Sequence, residues 1–369
     1  DNTCAAFNSD IILDLASNGS DDKYYGDTQF DRALSDATGA DTLKFYNQKS
    51  YNNKTLDFSG SNAVVTLNGD GNDDDTIDAT FTGTLAIDDT ATLNEVQLNS
   101  ETTVNAASTI KNSGITKTID VKSTGVNIGT TGNGNSFVLA NDDTGITSSG
   151  AGSYAAISIV DNSFEATAAD DYIGIDLGTQ FSGGTMTITN NSMTEKINFG
   201  IKIAGASVAT LTKNSIVSAG LDKGTDAGDA DSAIYLSGNA AHVIGTSGTI
   251  GDANTLQGFA SGIYITDAVV ASGLDIKYNK ISNNTNAIHN ADDAIVDVEK
   301  NWWGSDDEPT VNAHTLVNYG QWCTDNTCAA FNSDIILDLA DGSDDKYYGD
   351  TQFDRALSDA TGADTLKFY

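Results

Sequence analysis

One pattern, an Asn, a spacer and an apolar residue, recurs at Asn162-Ser163-Phe164, Asn191-Ser192-Met193, Asn214-Ser215-Ile216, Asn254-Thr255-Leu256, Asn279-Lys280-Ile281 and Asn301-Trp302-Trp303. Successive Asn residues lie 22 to 40 residues apart, and the shortest steps match one coil of a β-solenoid. Where the spacing is longer, the extra residues lie between the Asn and the strand that follows it, for example at 218–232. Solenoids tolerate extra length at one point of each coil because their loops project from an edge.

The repeated Asn predicts a fixed corner in each coil. Asn tolerates left-handed backbone angles, and stacked Asn side chains can hydrogen-bond from coil to coil. We therefore predict a structural ladder formed by Asn162, Asn191, Asn214, Asn254, Asn279 and Asn301.

The rest of the sequence also favours strands over helices. Short apolar clusters alternate with Gly, Asn and Asp, and helical periodicity is absent after Leu56. Evenly spaced short strands suit a sandwich, a barrel or a solenoid. The recurring corner decides for the solenoid, because a sandwich does not need the same residue at the same corner six times.

The chain resembles parallel β-helix proteins of the pectin-lyase-like type. The resemblance covers about 28–322 and rests on Asn301-Trp302-Trp303-Gly304, on Val317–Trp322 and on the opening Thr28–Leu43. It is similar to secreted or surface proteins whose helix ends in Asn-Trp-Trp-Gly. The resemblance implies an all-β fold, a right-handed parallel β-helix (solenoid) with a short N-terminal capping helix, and an end cap containing Trp302, Trp303 and Trp322.

The capping helix is also predicted by the residues themselves. Thr28 can cap its N-terminus, Asp31 lies near its positive end, and Gly39 is placed to end it. One apolar stripe, at helical spacing, consists of Phe30, Ala33, Leu34 and Ala37. Such a helix would cover the open end of the first coil.

The two ends of the chain are copies of each other. Asp1–Ala16 recurs at Asp325–Ala340 and Gly19–Tyr46 recurs at Gly342–Tyr369, which gives 44 identical positions. Identity at this level indicates a tandem array rather than mere structural similarity, with an artificial fusion or a recent duplication as the alternatives. The expected domains are an N-terminal segment with capping helix and first strand, the β-helix, a C-terminal cap and junction, and the start of the next repeat. Their boundaries are 1–46, 47–304, 305–324 and 325–369.

The cysteines fit such an array. Cys328 is the copy of Cys4, and Cys323 precedes it by five residues. We predict a Cys323–Cys328 disulfide at each junction, with Cys4 left unpaired; free thiols in a reducing compartment are the alternative. A disulfide implies export and therefore an extracellular or cell-surface location.

Charge narrows the classes of partner. The chain carries 52 acidic and 18 basic side chains, a net charge of −34. This sign disfavours nucleic acids and anionic membranes, and no apolar run is long enough to span a bilayer. The expected partner is the chain itself, as a head-to-tail homopolymer or tandem array.

Catalytic residues are hard to assign. The only arginines are Arg32 and Arg355, and the Gly-His-Gly and Arg-Ile-Lys motifs of hydrolases with the pectin-lyase-like fold do not occur. Three adjacent carboxylate pairs, which suit solvated turns, are Asp142-Asp143, Asp170-Asp171 and Asp292-Asp293. The histidines, His242, His289 and His314, lack zinc-binding spacing, and His289 is expected to face outward. We therefore expect no enzyme; a polysaccharide lyase or hydrolase is the alternative.

Calcium is the one cofactor that the residues suggest. Asp70, Asn72 and Asp74 alternate in a Gly/Asp-rich stretch, a spacing that suits oxygen ligands, with a solvated acidic loop as the alternative. Sequons begin at Asn18, Asn53, Asn190 and Asn283, which an Asn- and Thr-rich chain also produces by chance. The expected function is structural: a secreted repeat unit of a filament, sheath or adhesive stalk. The alternative is a polysaccharide-active enzyme or a carbohydrate-binding adhesin.

Overall fold

The computed structural model divides the chain into two compact units, Asp1–Asp176 and Leu177–Tyr369. The described residues of the first unit are 11–15, 21–25, 29–37, 41–46, 48–58, 64–70, 77–140, 143–166 and 172–176. Those of the second are 177–219, 231–238, 240–245, 248, 250–266, 273–292, 294–305, 317–319, 321–331, 335–340, 343–348 and 365–368.

Among the described residues of the first unit there is one short helix, α1 (Phe30–Asp36), and the other elements are strands. The strands are β1 (Ile11–Leu15), β2 (Asp21–Tyr25), β3 (Thr42–Tyr46), β4 (Lys49–Leu56), β5 (Val65–Asn68), β6 (Ala79–Ile87), β7 (Ala91–Asn94), β8 (Gln97–Val104), β9 (Thr109–Lys111), β10 (Gly114–Ile115), β11 (Ile119–Val121), β12 (Val126–Ile128), β13 (Ser136–Leu139), β14 (Thr144–Thr147), β15 (Ile157–Val160), β16 (Ser163–Ala166) and β17 (Tyr172–Leu177), which ends at the boundary.

The second unit continues with short strands and a 3₁₀ turn at Ile250–Asp252. The strands are β18 (Thr185–Thr189), β19 (Ser192–Met193), β20 (Ile197–Ile203), β21 (Val208–Thr212), β22 (Ser215–Val217), β23 (Ser232–Leu236), β24 (Val243–Gly245), β25 (Thr255–Gln257), β26 (Ser261–Ile265), β27 (Asp275–Lys277), β28 (Lys280–Ser282), β29 (Asn286–Asn290), β30 (Val296–Asp297), β31 (Val317–Asn318), β32 (Ile335–Ala340), β33 (Ser343–Tyr348) and β34 (Thr365–Phe368).

The first unit begins with an antiparallel sheet and then becomes parallel. Strand β1 pairs antiparallel with β2 and β3, and β3 then pairs parallel with β5. From there the order β5-β7-β9-β12-β15 is parallel throughout, and β4, β6 and β8 form a second parallel set. Each strand thus lies beside the equivalent strand of the neighbouring coil, as a solenoid requires.

In the second unit each coil contributes three strands to three parallel sets. The sets are β18-β21-β24-β27, β19-β22-β25-β28 and β20-β23-β26-β29. The expected fold class, an all-β right-handed parallel β-helix with a short N-terminal helix, is confirmed. Among the described residues, no helix has the length and apolar character needed to cross a membrane.

The core consists of columns of aliphatic side chains in register. Alternation along each strand points every second residue inward, and parallel pairing stacks these residues coil upon coil. In the first unit one such column, at most 1% exposed, is Leu43, Leu67, Leu93, Ile110, Ile128 and Ile159. In the second unit another column, 0% exposed, is Ile201, Ile234, Ile263 and Ile288.

The apolar stripe of helix α1 packs against aromatic side chains of the neighbouring strands. The Phe30 ring lies 4.6 Å from Tyr51 and 6.0 Å from Phe81, and the stripe residues are all buried, as the spacing predicted. The expected cap was wrong: Gln29 is the N-cap residue and makes no side-chain capping bond. The helix ends at Asp36, and the C-cap residue Ala37 donates its N–H to the Ala33 carbonyl. Thr28 and Gly39 lie outside the described residues.

Candidate functional site

The predicted Asn positions of the second unit form a continuous hydrogen-bonded column. Asn214 Oδ1 accepts both the backbone N–H and the side-chain amide of Asn191, at 3.1 and 3.0 Å. The same pair of hydrogen bonds joins Asn214 to Asn254, Asn254 to Asn279, and Asn279 to Asn301. These side chains are 0 to 1% exposed. We call these five residues the inner Asn column.

The inner amides also hold backbone carbonyls. Asn254 Nδ2 donates to the Leu211 carbonyl at 2.7 Å as well as to the next Asn, so both amide hydrogens are used. Asn214, Asn279 and Asn301 likewise donate to carbonyls of Ile188, Ile244 and Ile276. A buried polar group is stable when all its hydrogen bonds are made, and this column meets that condition.

At five of the six ladder positions, all except Asn254, the residue with left-handed backbone angles is the one before the Asn. Positive φ values occur at Asp161, Asn190, Lys213, Tyr278 and Lys300, between 56° and 61°. The expectation that the ladder Asn itself adopts this conformation was therefore wrong. At these five corners the preceding residue, which is exposed or half-buried, makes the sharp turn, and the buried Asn that follows it hydrogen-bonds to the neighbouring coil.

The first unit has the same corner, but fewer of its members were predicted. Asn162 Oδ1 accepts from the backbone and the amide of Asn135, and Asn135 Oδ1 accepts from the backbone of Ser113. Asn135 was missed although Asn135-Ser136-Phe137 repeats the motif of Asn162-Ser163-Phe164. Ser113 could not be found from recurring Asn, because its hydroxyl takes the place of the amide and accepts from Val96 N–H.

At the predicted junction between repeats, Cys323 and Cys328 form a disulfide, and their Cα atoms are 4.7 Å apart. Phe331, three residues further on, lies within aromatic and cation–π distance of Tyr278 and Lys300. The segment after the bridge therefore packs against the last coils. Cys4 lies outside the described residues.

The predicted end-cap tryptophans differ in burial. Trp322 is 2% exposed and Trp303 8%, with Trp303 edge-on to Tyr319 at 5.9 Å. Trp302 is half-buried, and its backbone bridges Lys280 of the preceding coil. The buried rings offer little face for a ligand to stack on, and the half-buried Trp302 is joined to the coil by its backbone.

The predicted calcium ligands fall largely outside the described residues. Of Asp70, Asn72 and Asp74 only Asp70 is described; it is 7% exposed. Asp78, at the far end of the same stretch, is 4% exposed, and one of its oxygens accepts the backbone N–H of Gln48 at 3.0 Å. In the described part of the chain, no group of three or more His, Cys, Asp or Glu side chains is arranged to hold a metal ion.

A shallow cleft of about 340 Å³ lies between α1 and β4 in the first unit. Its polar lining includes Asp31, Asp57 and Lys54, and Lys54 Nζ is 2.8 Å from Asp31 Oδ1. The Lys54 ammonium also lies 5.0 Å from the centre of the Phe30 ring. The cleft thus offers charged and polar groups, which sequence reasoning did not bring together.

Two histidines are buried. His289 continues the row Lys202, Tyr235 and Tyr264 on the face opposite to the buried Ile288, so it faces outward as expected. It stacks on Tyr264 at 4.4 Å and is only 4% exposed. His242 is 0% exposed; its Nδ1 accepts the Ala209 N–H, and burial lowers its pKa from 6.5 to about 4. His314 lies outside the described residues.

Comparison with protein-family models, with curated proteins and with solved structures finds no match to this chain.

Proposed function

We propose that this protein is structural: a tandem-repeat β-helix unit of an extracellular filament, sheath or adhesive stalk that assembles head-to-tail. The observation that carries the proposal is the duplicated segment, because both copies adopt the same strand arrangement. In the first copy β1 lies between β2 and β3, and in the second β32 lies between β33 and β34. Ile12 is paired with Tyr24 and Phe45, and its copy Ile336 is paired with Tyr347 and Phe368.

The two copies differ in what lies beside their last strand. In the first copy β3 pairs with β5 of the first coil, with Leu43 opposite Leu67. Within the described residues, the equivalent strand β34 pairs with β32 alone. An identical strand presents identical hydrogen-bonding groups, so the other edge of β34 fits a strand with the sequence of β5. A second molecule's first coil supplies that strand when its own β3, which otherwise pairs with the same edge of β5, is displaced.

This contact joins different surfaces of the two molecules. The donor contributes its C-terminal copy and the acceptor contributes its first coil, so each added molecule leaves a new C-terminal copy available. Heterologous contacts of this kind propagate into filaments rather than closing into dimers. The net charge of −34 opposes such growth, so salt or bound cations must screen it.

Electron microscopy of the purified chain tests the proposal, and linear filaments are the expected result. Leu366 is the copy of Leu43, which is 1% exposed, so Leu366→Asp should abolish filaments while leaving the melting of the β-helix unchanged. Lys367→Gln, at the adjacent position of β34, is the matched control and should keep them. Only monomers or closed dimers in the unsubstituted protein, or filaments that persist in Leu366→Asp, would refute head-to-tail assembly.

A carbohydrate-directed role is the second candidate, and the cleft between α1 and β4 favours it. A polysaccharide-active enzyme or adhesin of the pectin-lyase-like type, with its Asn-Trp-Trp-Gly end, would bind sugar hydroxyls through side chains such as Asp31, Asp57 and Lys54. Lys54→Ala separates the candidates. Loss of glycan binding or of reducing-end release with filaments intact would support the carbohydrate role, and unchanged filaments without any glycan activity would support the structural one.

Calcium is proposed as the cation that supports folding, with Asp70, Asn72 and Asp74 as ligands. A ligand that binds only the folded state raises the melting temperature by mass action. EDTA at constant ionic strength should therefore lower it, and the paired substitutions Asp70→Asn and Asp74→Asn should abolish the response. If EDTA leaves melting unchanged while sodium chloride alone controls assembly, the stretch is a solvated acidic loop.

A further inference from the structure

Two sequons of the second unit, Asn190-Asn191-Ser192 and Asn283-Asn284-Thr285, share one local structure. In each, the first Asn has left-handed backbone angles, with φ of 56° and 57°, and is exposed. The hydroxyl residue two positions later is exposed as well. The sequon's two functional side chains therefore lie on the outer surface at a corner of the solenoid.

The middle residue of each sequon fixes this arrangement. Asn191 is 1% exposed and donates into the inner Asn column. Asn284 Nδ2 donates to the Leu256 carbonyl and its Oδ1 accepts the Phe259 N–H, both at 3.0 Å. Because the middle residue is hydrogen-bonded to the neighbouring coil, the outer Asn is held at a fixed and exposed position of the turn. We propose that Asn190 and Asn283 are attachment sites for N-linked saccharides.

The residues of the inner Asn column cannot carry a saccharide. Asn214, Asn254 and Asn279 each use both amide hydrogens in buried bonds, so replacing one hydrogen by a saccharide would break the column. Asn53 begins a third described sequon and is also exposed, with φ of 50°. Its Oδ1 accepts the Thr84 N–H at 3.0 Å and lies over Gly83, so its side chain lies along the sheet surface. Asn53 also lies within β4 rather than at a corner between strands, so it is left out of the proposal and serves as an internal comparison.

The reaction is a substitution at the anomeric carbon of a phosphate-activated saccharide. Asn Nδ2 forms a bond to that carbon as the bond between the carbon and a phosphate oxygen breaks. The phosphate leaves with the bonding electrons, and the amide nitrogen loses one of its two protons to a base of the transferring enzyme. A bulky, hydrated product suits a convex corner, where it covers no buried group.

The inference rests on the proposed extracellular location. Peptide mass spectrometry of the protein isolated from the cells that make it should find saccharide mass on the peptides containing Asn190 and Asn283. Ser192→Ala and Thr285→Ala should each remove one addition, because each destroys a sequon without touching the acceptor. Ser215→Ala, at the same corner of the next coil, is the matched control and should change nothing.

A gain-of-site variant tests the geometric reason directly. Lys213 has φ of 58°, is exposed and precedes Asn214-Ser215, so Lys213→Asn creates a sequon with the same local structure. It gives up only a surface ion pair with Asp252, which contributes little. A third saccharide at position 213 is expected, and its absence would refute the role of the corner. If the protein forms filaments but carries no saccharide on Asn190 or Asn283, this inference is wrong and the proposed assembly stands. If both residues carry a saccharide but the protein stays monomeric, the proposed head-to-tail assembly is wrong and this inference stands.

Discussion

Two rows of Asn side chains, one in each unit, make similar hydrogen bonds in different surroundings. In the inner Asn column of the second unit the amide-to-amide distances are 2.9 to 3.0 Å. In the first unit Asn94 Nδ2 donates to Asn68 at 3.0 Å and Asn112 donates to Asn94 at 2.9 Å, forming an outer amide row. The inner residues are 0 to 1% exposed, whereas the outer ones are half-buried.

The comparison shows that hydrogen-bond geometry alone does not determine how much a row of Asn side chains contributes to stability. Water can replace a lost partner at the outer amide row but cannot reach the inner column. A hydrogen bond contributes about 1 kcal/mol on average, but a buried group left without a partner costs about 1–3 kcal/mol. The same chemical ladder should therefore contribute much more to stability inside the coil than on its surface.

The largest effect is expected from Asn254→Ala. The substitution removes the acceptor of the Asn214 N–H and side-chain amide, and the donor to the Leu211 carbonyl. Several buried polar groups lose a bond at once, so the free energy of unfolding should fall by about 3–5 kcal/mol. Urea unfolding measures this, with Ser215→Ala, which lies beside Asn214 on the neighbouring coil, as the control. A loss below about 1 kcal/mol would mean that the column is not a major source of stability.

His242 sharpens the comparison because it is equally buried but less completely bonded. Its Nδ1 accepts the Ala209 N–H, while Nε2 has no partner among the described residues. Burial holds its pKa near 4, below the ordinary 6.5, so the folded state binds fewer protons than the unfolded state between these values. The stabilisation is complete above about pH 6.5 and is lost as pH falls toward 4, up to about 3 kcal/mol.

Unfolding by urea at pH 7, 6 and 5 measures this slope. His242→Gln keeps a side-chain acceptor but does not titrate, so its stability should vary less over the same range. The difference between the two curves isolates His242 from the carboxylates that titrate in both proteins. Parallel curves would show that protonation of His242 is not coupled to unfolding.

The sequence predicted the fold more completely than the details of its corners. Recurring Asn and alternating strands were sufficient because a solenoid repeats the same local requirement in every coil. The left-handed residue was assigned to the wrong position, since a residue at the surface, such as Lys213 or Tyr278, can adopt that turn once the next Asn fastens it. The outward direction of His289 followed from strand alternation, but its burial did not, because alternation gives the direction of a side chain and not what covers it.

The smallest effect is expected at the outer amide row, where Asn94→Ala removes one donor and one acceptor. Asn112 keeps a second bond, to Asn133 Oδ1 at 3.3 Å, and Asn68 keeps its bond to the Asp70 carbonyl. Water can satisfy the remaining groups because the site is half-exposed, so the free energy of unfolding should fall by about 0.5–1 kcal/mol. Urea unfolding of Asn94→Ala and of Asn254→Ala gives two losses in the free energy of unfolding. Their ratio measures how much burial increases the contribution of the same kind of hydrogen bond. Equal losses at the two positions would contradict this account, since they would mean that the amide bond itself, and not its removal from water, determines the contribution.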